Sequence, residues 1–403
     1  MDSQMRRPGL SWVTAVRTRG RNGILSLPVP CDIHTALISD FSRWEDAPMQ
    51  IRVTKTEHPM DKPADEKNLS FGDTVADHMF LMDYEAGNGW KNPRIEPYGG
   101  LTLDPAAMAI HYGQEIFEGL KAYRNKDGSI YLFRAKENFM RMNRSATRMC
   151  MPELDIATAM AGLKELILLD KDWVPRSPGT SLYIRPTMLA TEPHLGVRPA
   201  KEYLFFIING PVGAYYKEGL NPVKIYVEDK YVRAAIGGTG ETKTAGNYAA
   251  SLLAAEEAQA KGFTQVLWLD AAERKYVEEV GTMNMFFLID EEVITAPLTG
   301  SILPGITRSS VIRMIKGWGL KMSERSLAID EVIQAASKGS LKEAFGTGTA
   351  AVISPVGQIT FKNKDYVVAG GKMGELSQRL YDEIVAIQYG NKEDPYGWRE
   401  KIA

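Results

Sequence analysis

The chain has 403 residues, enough for two domains with sizeable cores. Its apolar content of 44%, charged content of 24% and formal net charge of −2 are those of an ordinary globular protein. The near balance of 48 basic and 50 acidic side chains gives no case for nucleic acid or an anionic membrane as partner. The two cysteines, Cys31 and Cys150, build no disulfide framework, and the five histidines are scattered without metal spacing, so no metal site is expected. No apolar run approaches a membrane span. A reducing compartment fits, and a cytoplasmic place is expected.

Residues 1–48 differ from the rest. From Ser3 to Cys31 there is no acid, while Arg6, Arg7, Arg17, Arg19 and Arg21 are present. A transit peptide has that pattern, which leaves organellar import open; sparse hydroxyls and poor helical periodicity favour an unstructured leader, or a start properly placed near Met49. Lys55 to Asn68 reads as an extended arm. Phe80-Leu81-Met82 predicts a strand, Asn88 to Gly100 a loop rich in Gly and Pro, and Ile130 to Phe133 a second strand. Glu137 to Cys150 has helical spacing, with a Met/Phe stripe that reads as core packing, and Ile156 to Asp170 is a second helix. Ser181 to Ile184 and Tyr203 to Ile208 are strands. These form a smaller N-terminal domain over residues 49–212, followed by a linker over residues 213–222.

The larger C-terminal domain spans residues 223–403. Val223 to Val227, Gln265 to Leu269 and Met283 to Ile289 predict strands. Tyr248 to Lys261 is a helix closed by Gly262, and Ser309 to Lys316, Ile329 to Ser337 and Met373 to Gln388 are further helices. Phe345 to Ser354 reads as strand and turn. Helices and strands mix without strict alternation, so the fold class is α/β or α+β.

Lys243 is the most informative residue. It stands in Gly237-Gly238-Thr239-Gly240-Glu241-Thr242-Lys243-Thr244, where small neighbours let a flat ligand reach its amine for a Schiff base. A nucleotide phosphate loop needs glycine directly before the lysine, and Thr242 stands there; the dinucleotide fingerprint fails because Lys243 occupies its last glycine position. Three other segments suit an anion. Pro304-Gly305-Ile306-Thr307-Arg308-Ser309-Ser310 opens a helix with free amides, Gly346-Thr347-Gly348-Thr349-Ala350 is a small-residue turn, and Arg141 offers a guanidinium fork. Glu279 at a strand entrance can keep a pyridine nitrogen protonated, and Tyr248 can hydrogen-bond a phenolic oxygen. Together these point to a phosphorylated aldehyde cofactor.

The chain resembles the branched-chain amino-acid aminotransferases, of the class IV pyridoxal-phosphate fold. The resemblance runs from about Phe71 to Trp398. It is carried by Phe71-Gly72, Asp77-His78-Met79, Tyr112, Phe117-Glu118-Gly119-Leu120-Lys121, Phe133-Arg134 with Asn138 and Arg141, Ser181-Leu182-Tyr183-Ile184-Arg185-Pro186, and Glu192-Pro193 with Leu195-Gly196-Val197. The second half adds Lys243 with Gly246-Asn247-Tyr248, Glu279-Val280-Gly281-Thr282-Met283-Asn284, Leu303-Pro304-Gly305 with Arg308, and the Gly346 to Ala350 turn.

The resemblance implies two domains with the active site between them, pyridoxal 5'-phosphate as cofactor, and a homodimer. Lys243 forms the Schiff base and shuttles the proton between Cα and the cofactor's C4′. Glu279 pairs with the pyridine nitrogen and Tyr248 with the phenolic oxygen. Arg141, Ile306, Thr307 and Thr349 hold the phosphate, with Arg233 in support. Tyr112 and the amides of Thr349 and Ala350 receive the substrate α-carboxylate. Phe71, Phe117, Tyr183, Tyr215 and Thr282 line an apolar pocket, Leu195 and Val197 reach it from the partner subunit, and Tyr183 with Arg185 meets the distal carboxylate of glutamate. The implied reaction moves the amino group of leucine, isoleucine or valine to 2-oxoglutarate, reversibly and by a ping-pong scheme. D-amino-acid aminotransferases and aminodeoxychorismate lyases share the fold and are the near alternatives; a nucleotide-binding protein is the distant one. Ala351 and Ser354 stand where some eukaryotic members carry a Cys-x-x-Cys pair, so no thiol switch is expected there.

Overall fold

The computed structural model describes residues 48–213 and 220–403. All but the last residue of the 1–48 leader, most of the linker and Tyr215 therefore lie outside the described residues.

In chain order the first half contains β1 (Arg52–Val53), β2 (His78–Glu85), β3 (Gly89–Pro97), α1 (Met108–Tyr112), β4 (Glu115–Phe117), β5 (Leu120–Arg124), β6 (Ile130–Phe133), α2 (Ala135–Arg148), α3 (Ile156–Leu169), β7 (Ser181–Ala190) and β8 (Glu202–Val212). The second half contains β9 (Val223–Glu228), α4 (Ala245–Ala249), α5 (Leu252–Ala260), β10 (Gln265–Leu269), β11 (Val277–Val280), β12 (Met283–Ile289), β13 (Glu292–Thr295) and α6 (Ile306–Gly317). It continues with β14 (Lys321–Glu324), α7 (Ile329–Lys338), β15 (Leu341–Gly348), β16 (Val352–Phe361), β17 (Lys364–Val367), α8 (Glu375–Gln388) and β18 (Arg399–Lys401).

The strands form two sheets. The first runs β1-β3-β2-β8-β7-β5-β6-β18, with β4 also on β7, and is antiparallel apart from the short β1–β3 pairing. The second runs β11-β10-β9-β16-β15-β12-β13-β14, with β17 on β16. An extra β11–β12 pairing closes six of its strands into a ring.

Helices α2 and α3 cover the first sheet, whose core holds Phe80, Phe139, Leu163 and Phe205. Asp155 caps α3, accepting from the amides of Ala157 and Thr158. Helix α2 buries Asn138, Arg141, Met142, Ser145 and Ala146 along one stripe at helical spacing. Three of these, Asn138, Arg141 and Ser145, are polar, and Arg141 and Ser145 belong to the site described below. Met140, by contrast, points to solvent, so the expected Met/Phe stripe rests on Phe139 and Met142.

Two expectations need correction. Asn88 to Gly100 is a strand over most of its length, not a loop. Pro93 and Ile95 face inward on β3, a bulge at Asn92 (φ 55°) absorbs the irregularity, and the neighbour on that side, β1, is only two residues long. Proline is tolerated near a sheet edge because a missing N–H leaves few ladder bonds unmade. The helix expected from Tyr248 to Lys261 is two helices, α4 and α5, separated at Ala250-Ser251.

Candidate active site

A cavity of about 400 Å³ opens between the two sheets. Of the expected site residues, Phe71, Phe117, Arg141, Tyr183, Arg185, Lys243, Tyr248, Glu279, Thr282, Ile306, Thr307, Thr349 and Ala350 line it. Segments more than 200 residues apart in sequence thus meet at one place.

Lys243 is stitched to the first sheet through its main chain. Phe117 N donates to Lys243 O at 2.9 Å, Lys243 N donates to Ser145 Oγ at 3.1 Å, and Thr244 Oγ1 donates to Glu115 O at 2.7 Å. Asn247 secures the loop on the other side, donating to Thr239 O and Thr242 O. The amine is therefore presented from a fixed backbone. Its Nζ donates to Tyr248 Oη at 2.7 Å and stands 4.8 Å from the Phe117 ring centroid.

Glu279 is buried on β11. Its Oε1 accepts from Asn284 Nδ2 at 2.9 Å, and Asn284 also donates to Leu303 O. Its Oε2 lies 2.7 Å from Arg233 Nε but has no hydrogen-bond partner, so the pair is electrostatic without alignment. Burial pushes the Glu279 carboxyl up to about 7, against the opposing pull of the Arg233 guanidinium. Arg233 itself lies behind Glu279 and not among the lining residues. Its Nη1 donates to Ser301 O at 2.9 Å, tying the carboxylate to the segment that leads into α6.

The far wall suits an anion. Helix α6 starts at Ile306 with Gly305 as its N-cap and no side chain capping its first amides. Gly305 is required there, because a Cβ would fall 2.1 Å from Asn284 Oδ1. Arg141 reaches the same place from α2. Glu118 grips it through two 2.8 Å bonds, and its Nη1 donates to Pro304 O at 3.2 Å. Burial works against the Arg141 charge, yet the Glu118 carboxylate outweighs it and holds the guanidinium above its usual range.

The remaining wall mixes aromatic rings with one cation. Phe71 meets Tyr183 edge-on at 4.7 Å, and Arg185 lies over the Phe117 ring at 4.7 Å. Arg185 Nη2 donates to Tyr183 Oη at 3.0 Å, while its buried Nε has no partner. Gly119 makes room for Tyr183, whose Oη would lie 2.2 Å from a Cβ at that position.

Tyr112 does not reach this cavity within one chain. It sits exposed at the end of α1, the helix whose leading residues Ala106 and Ala107 pair with His194 and Pro193. Sequence reading gave no role to Glu118, Ser145, Asn284 or Thr347. Glu118 and Asn284 stood inside motifs already noted, and their signal was a polar residue in a run destined for burial. Ser145 lies on the buried stripe of α2. Thr347 Oγ1 is buried, lines the cavity and has no partner.

A group that suits these walls together brings an aldehyde to the amine, a ring nitrogen to the Glu279 carboxyl and a phosphate to the uncapped end of α6. That is the chemistry of pyridoxal 5'-phosphate enzymes, and the residues present fit it. The chain belongs to the class IV aminotransferases: the family described as Amino-transferase class IV matches residues 115–359. Its cofactor is pyridoxal 5'-phosphate. It is similar to branched-chain-amino-acid aminotransferase 2 of Bacillus subtilis (strain 168), with 55% identity over 355 residues, 88% of this chain and 97% of that one. Among solved structures it is similar to the branched-chain amino acid aminotransferase of Escherichia coli, with TM-score 0.69 and 27% identity, covering 81% of this chain and 99% of that one. It is also similar to the T.th. branched-chain amino acid aminotransferase complexed with N-(5'-phosphopyridoxyl)-L-glutamate, with TM-score 0.66 and 27% identity, covering 80% and 98%. Among the described residues no helix is long and apolar enough to cross a membrane, and no cluster of His, Cys, Asp and Glu could hold a metal ion.

Proposed function

We infer that this chain is a branched-chain amino-acid transaminase, exchanging the amino group between leucine, isoleucine or valine and 2-oxoglutarate. The observation that carries the substrate reading is the single cation in an aromatic wall. Arg185 stands over Phe117 and beside Tyr183, so one pocket offers apolar faces to a branched chain and a guanidinium edge to the distal carboxylate of glutamate. The identity to the Bacillus subtilis branched-chain enzyme and the glutamate adduct bound by the T.th. enzyme support both halves of that pairing.

When bound, pyridoxal 5'-phosphate supplies a carbonyl carbon that takes up the amino group and a ring that accepts the electrons released at Cα. The chain's own residues do the rest. The phosphate is held by Arg141, the first amides of α6 at Ile306 and Thr307, and Thr349. Glu279 receives the ring nitrogen, and Tyr248 the phenolic oxygen. Lys243 Nζ carries the proton to and from the substrate Cα, with the Tyr248 hydroxyl keeping it in place. The amides of Thr349 and Ala350 take the α-carboxylate. Arg233 supports Glu279, where its ion pair lies, and holds Ser301 at the approach to the phosphate helix.

The reading includes a homodimer. Ile110 (58% exposed), Tyr112 (39%), Leu195 (68%) and Val197 (88%) leave an apolar face on one side of the chain. The two segments bearing it are joined: His194 N donates to Ala106 O at 3.0 Å, and Ala107 pairs with Pro193. A second subunit covering that face would receive Tyr112, Leu195 and Val197 at its own cavity. The same reading divides the chain into domains over residues 49–212 and 223–403, each built around its own sheet, and places the protein in the cytoplasm.

Visible absorbance of the purified holoenzyme tests the function. L-leucine is expected to bleach the band of the aldehyde form, and 2-oxoglutarate to restore it. A band that ignores leucine and answers D-alanine would move the assignment to the D-amino-acid branch.

A further inference from the structure

Lys121 is a buried ammonium on the first sheet. On β5, Leu120 and Ala122 enter the core of the first sheet, while Tyr123 joins the core between the second sheet and α8. Side-chain alternation puts Lys121 on the same face as Tyr123, toward the second sheet. Lys121 is 7% exposed, and among the described residues no carboxylate stands within ion-pair distance of it. Burial pushes its ammonium down to about 8. A methionine would fill the same volume without that desolvation cost.

A hydrogen bond to the opposite sheet explains its place. Nζ donates to Ala350 O at 2.8 Å, across 229 residues of sequence. Ala350 lies in the turn between β15 and β16, whose Thr349, Ala350 and Ala351 line the main cavity. A second cavity of about 80 Å³, bounded by Lys121, Tyr123, Ala350, Gln388 and Tyr389, lies on the opposite side of that turn. It has room for only a few waters. A peptide is planar, so fixing the Ala350 carbonyl fixes the plane of the following peptide and limits how the turn's amides point.

We propose that Lys121 is a positioning residue for the substrate α-carboxylate, locking the Thr349-Ala350-Ala351 turn from behind and lending its positive charge to the amides on the cavity side. The proposal rests on the reading that this turn receives the α-carboxylate. It is a charge-assisted hydrogen bond that serves orientation rather than contact with substrate.

Calorimetry on the holoenzyme tests it with two probes of leucine shape, the anion 4-methylvalerate and the neutral 4-methylpentanamide. In Lys121→Met, 4-methylvalerate binding is expected to weaken about tenfold or more. The amide should bind as in the parent, cofactor content should be unchanged, and KM for leucine should rise with little change in kcat. Lys121→Arg, which keeps a charged donor of similar reach, should recover most of the anion affinity. Equal loss of both probes would mean packing alone, and unchanged anion binding would remove any role; either overturns the proposal. Should Lys121→Met not fold, Lys121→Gln carries the same comparison, with a selective loss for the anion as the supporting result and an equal or absent loss as the overturning one. A parent holoenzyme that does not prefer the anion to the amide would instead sink the turn as carboxylate site, and Lys121's role with it.

Discussion

Glu279 shows how much a single side chain depends on what it faces. Its Oε2 stands against Arg233 without an aligned hydrogen bond, and its carboxyl is raised from the 4.5 of a free glutamate to about 7, burial being the first cause. The folded protein therefore binds this proton more tightly than the unfolded one. The stability that this brings is fully present below about pH 4.5 and is lost as pH rises through about 7. In the cofactor-free protein, Glu279→Gln should accordingly match the parent in urea unfolding at pH 5 and exceed it at pH 8; a variant no more stable at pH 8 would contradict the raised value. Lys243 makes the sharper kinetic prediction. Lys243→Ala should lose roughly 10²–10⁴-fold in turnover from the missing proton transfer alone. Its far-ultraviolet circular dichroism should stay that of the parent. Substantial remaining turnover would remove the lysine's assigned role. Lys243 and Glu279 were legible in the sequence because each is a reactive type in a run of small or strand-forming residues. Glu118 and Asn284 carried no such flag, since a polar residue takes on a role only through the partner burial gives it.

At the scale of the element, α6 matters most. Its N-terminal turn faces the cavity with uncapped amides, and Arg134 steadies it from the first half of the chain by donating to Ile306 O at 3.0 Å. Gly305→Ala would drive a Cβ to 2.1 Å from Asn284 Oδ1, and Asn284 is already committed to Glu279 and Leu303. Neither side can yield without moving the ring partner or the phosphate helix. Affinity for pyridoxal 5'-phosphate, followed by fluorescence titration, should fall about tenfold or more, since overpacking of this kind costs about 1–3 kcal/mol. Unchanged affinity would show that the turn adapts. Elements with strong periodicity, such as α2, α3 and α8, were readable from their apolar spacing. Strand β3 was not, because Pro93 and Pro97 are turn formers until a sheet supplies neighbours that make no demand on their missing N–H groups. The break between α4 and α5 was equally hidden, for an alanine-rich run favours one continuous helix and only packing interrupts it.

For the whole molecule, the exposed face of Ile110, Tyr112, Leu195 and Val197 sets the expectation. Val197→Asp should shift the protein from dimer to monomer in light scattering and raise KM for leucine, while pyridoxal 5'-phosphate stays bound. A monomeric parent would refute the shared site. Short motifs by themselves pointed to a phosphorylated aldehyde cofactor, to the mixed helix-and-strand class and to Lys243, Glu279, Tyr248, Arg141 and the two amide-bearing turns, because reactive side chains and backbone-amide turns are local properties; the aromatic wall was expected only through the resemblance to the family. Three matters were decided only by the tertiary structure. Arg233 faces Glu279 rather than the open cavity, Tyr112 stays outside its own chain's site, and Lys121 holds the turn of the opposite sheet. Each is a relation between segments distant in sequence, and it exists only through the burial and alignment of the folded chain.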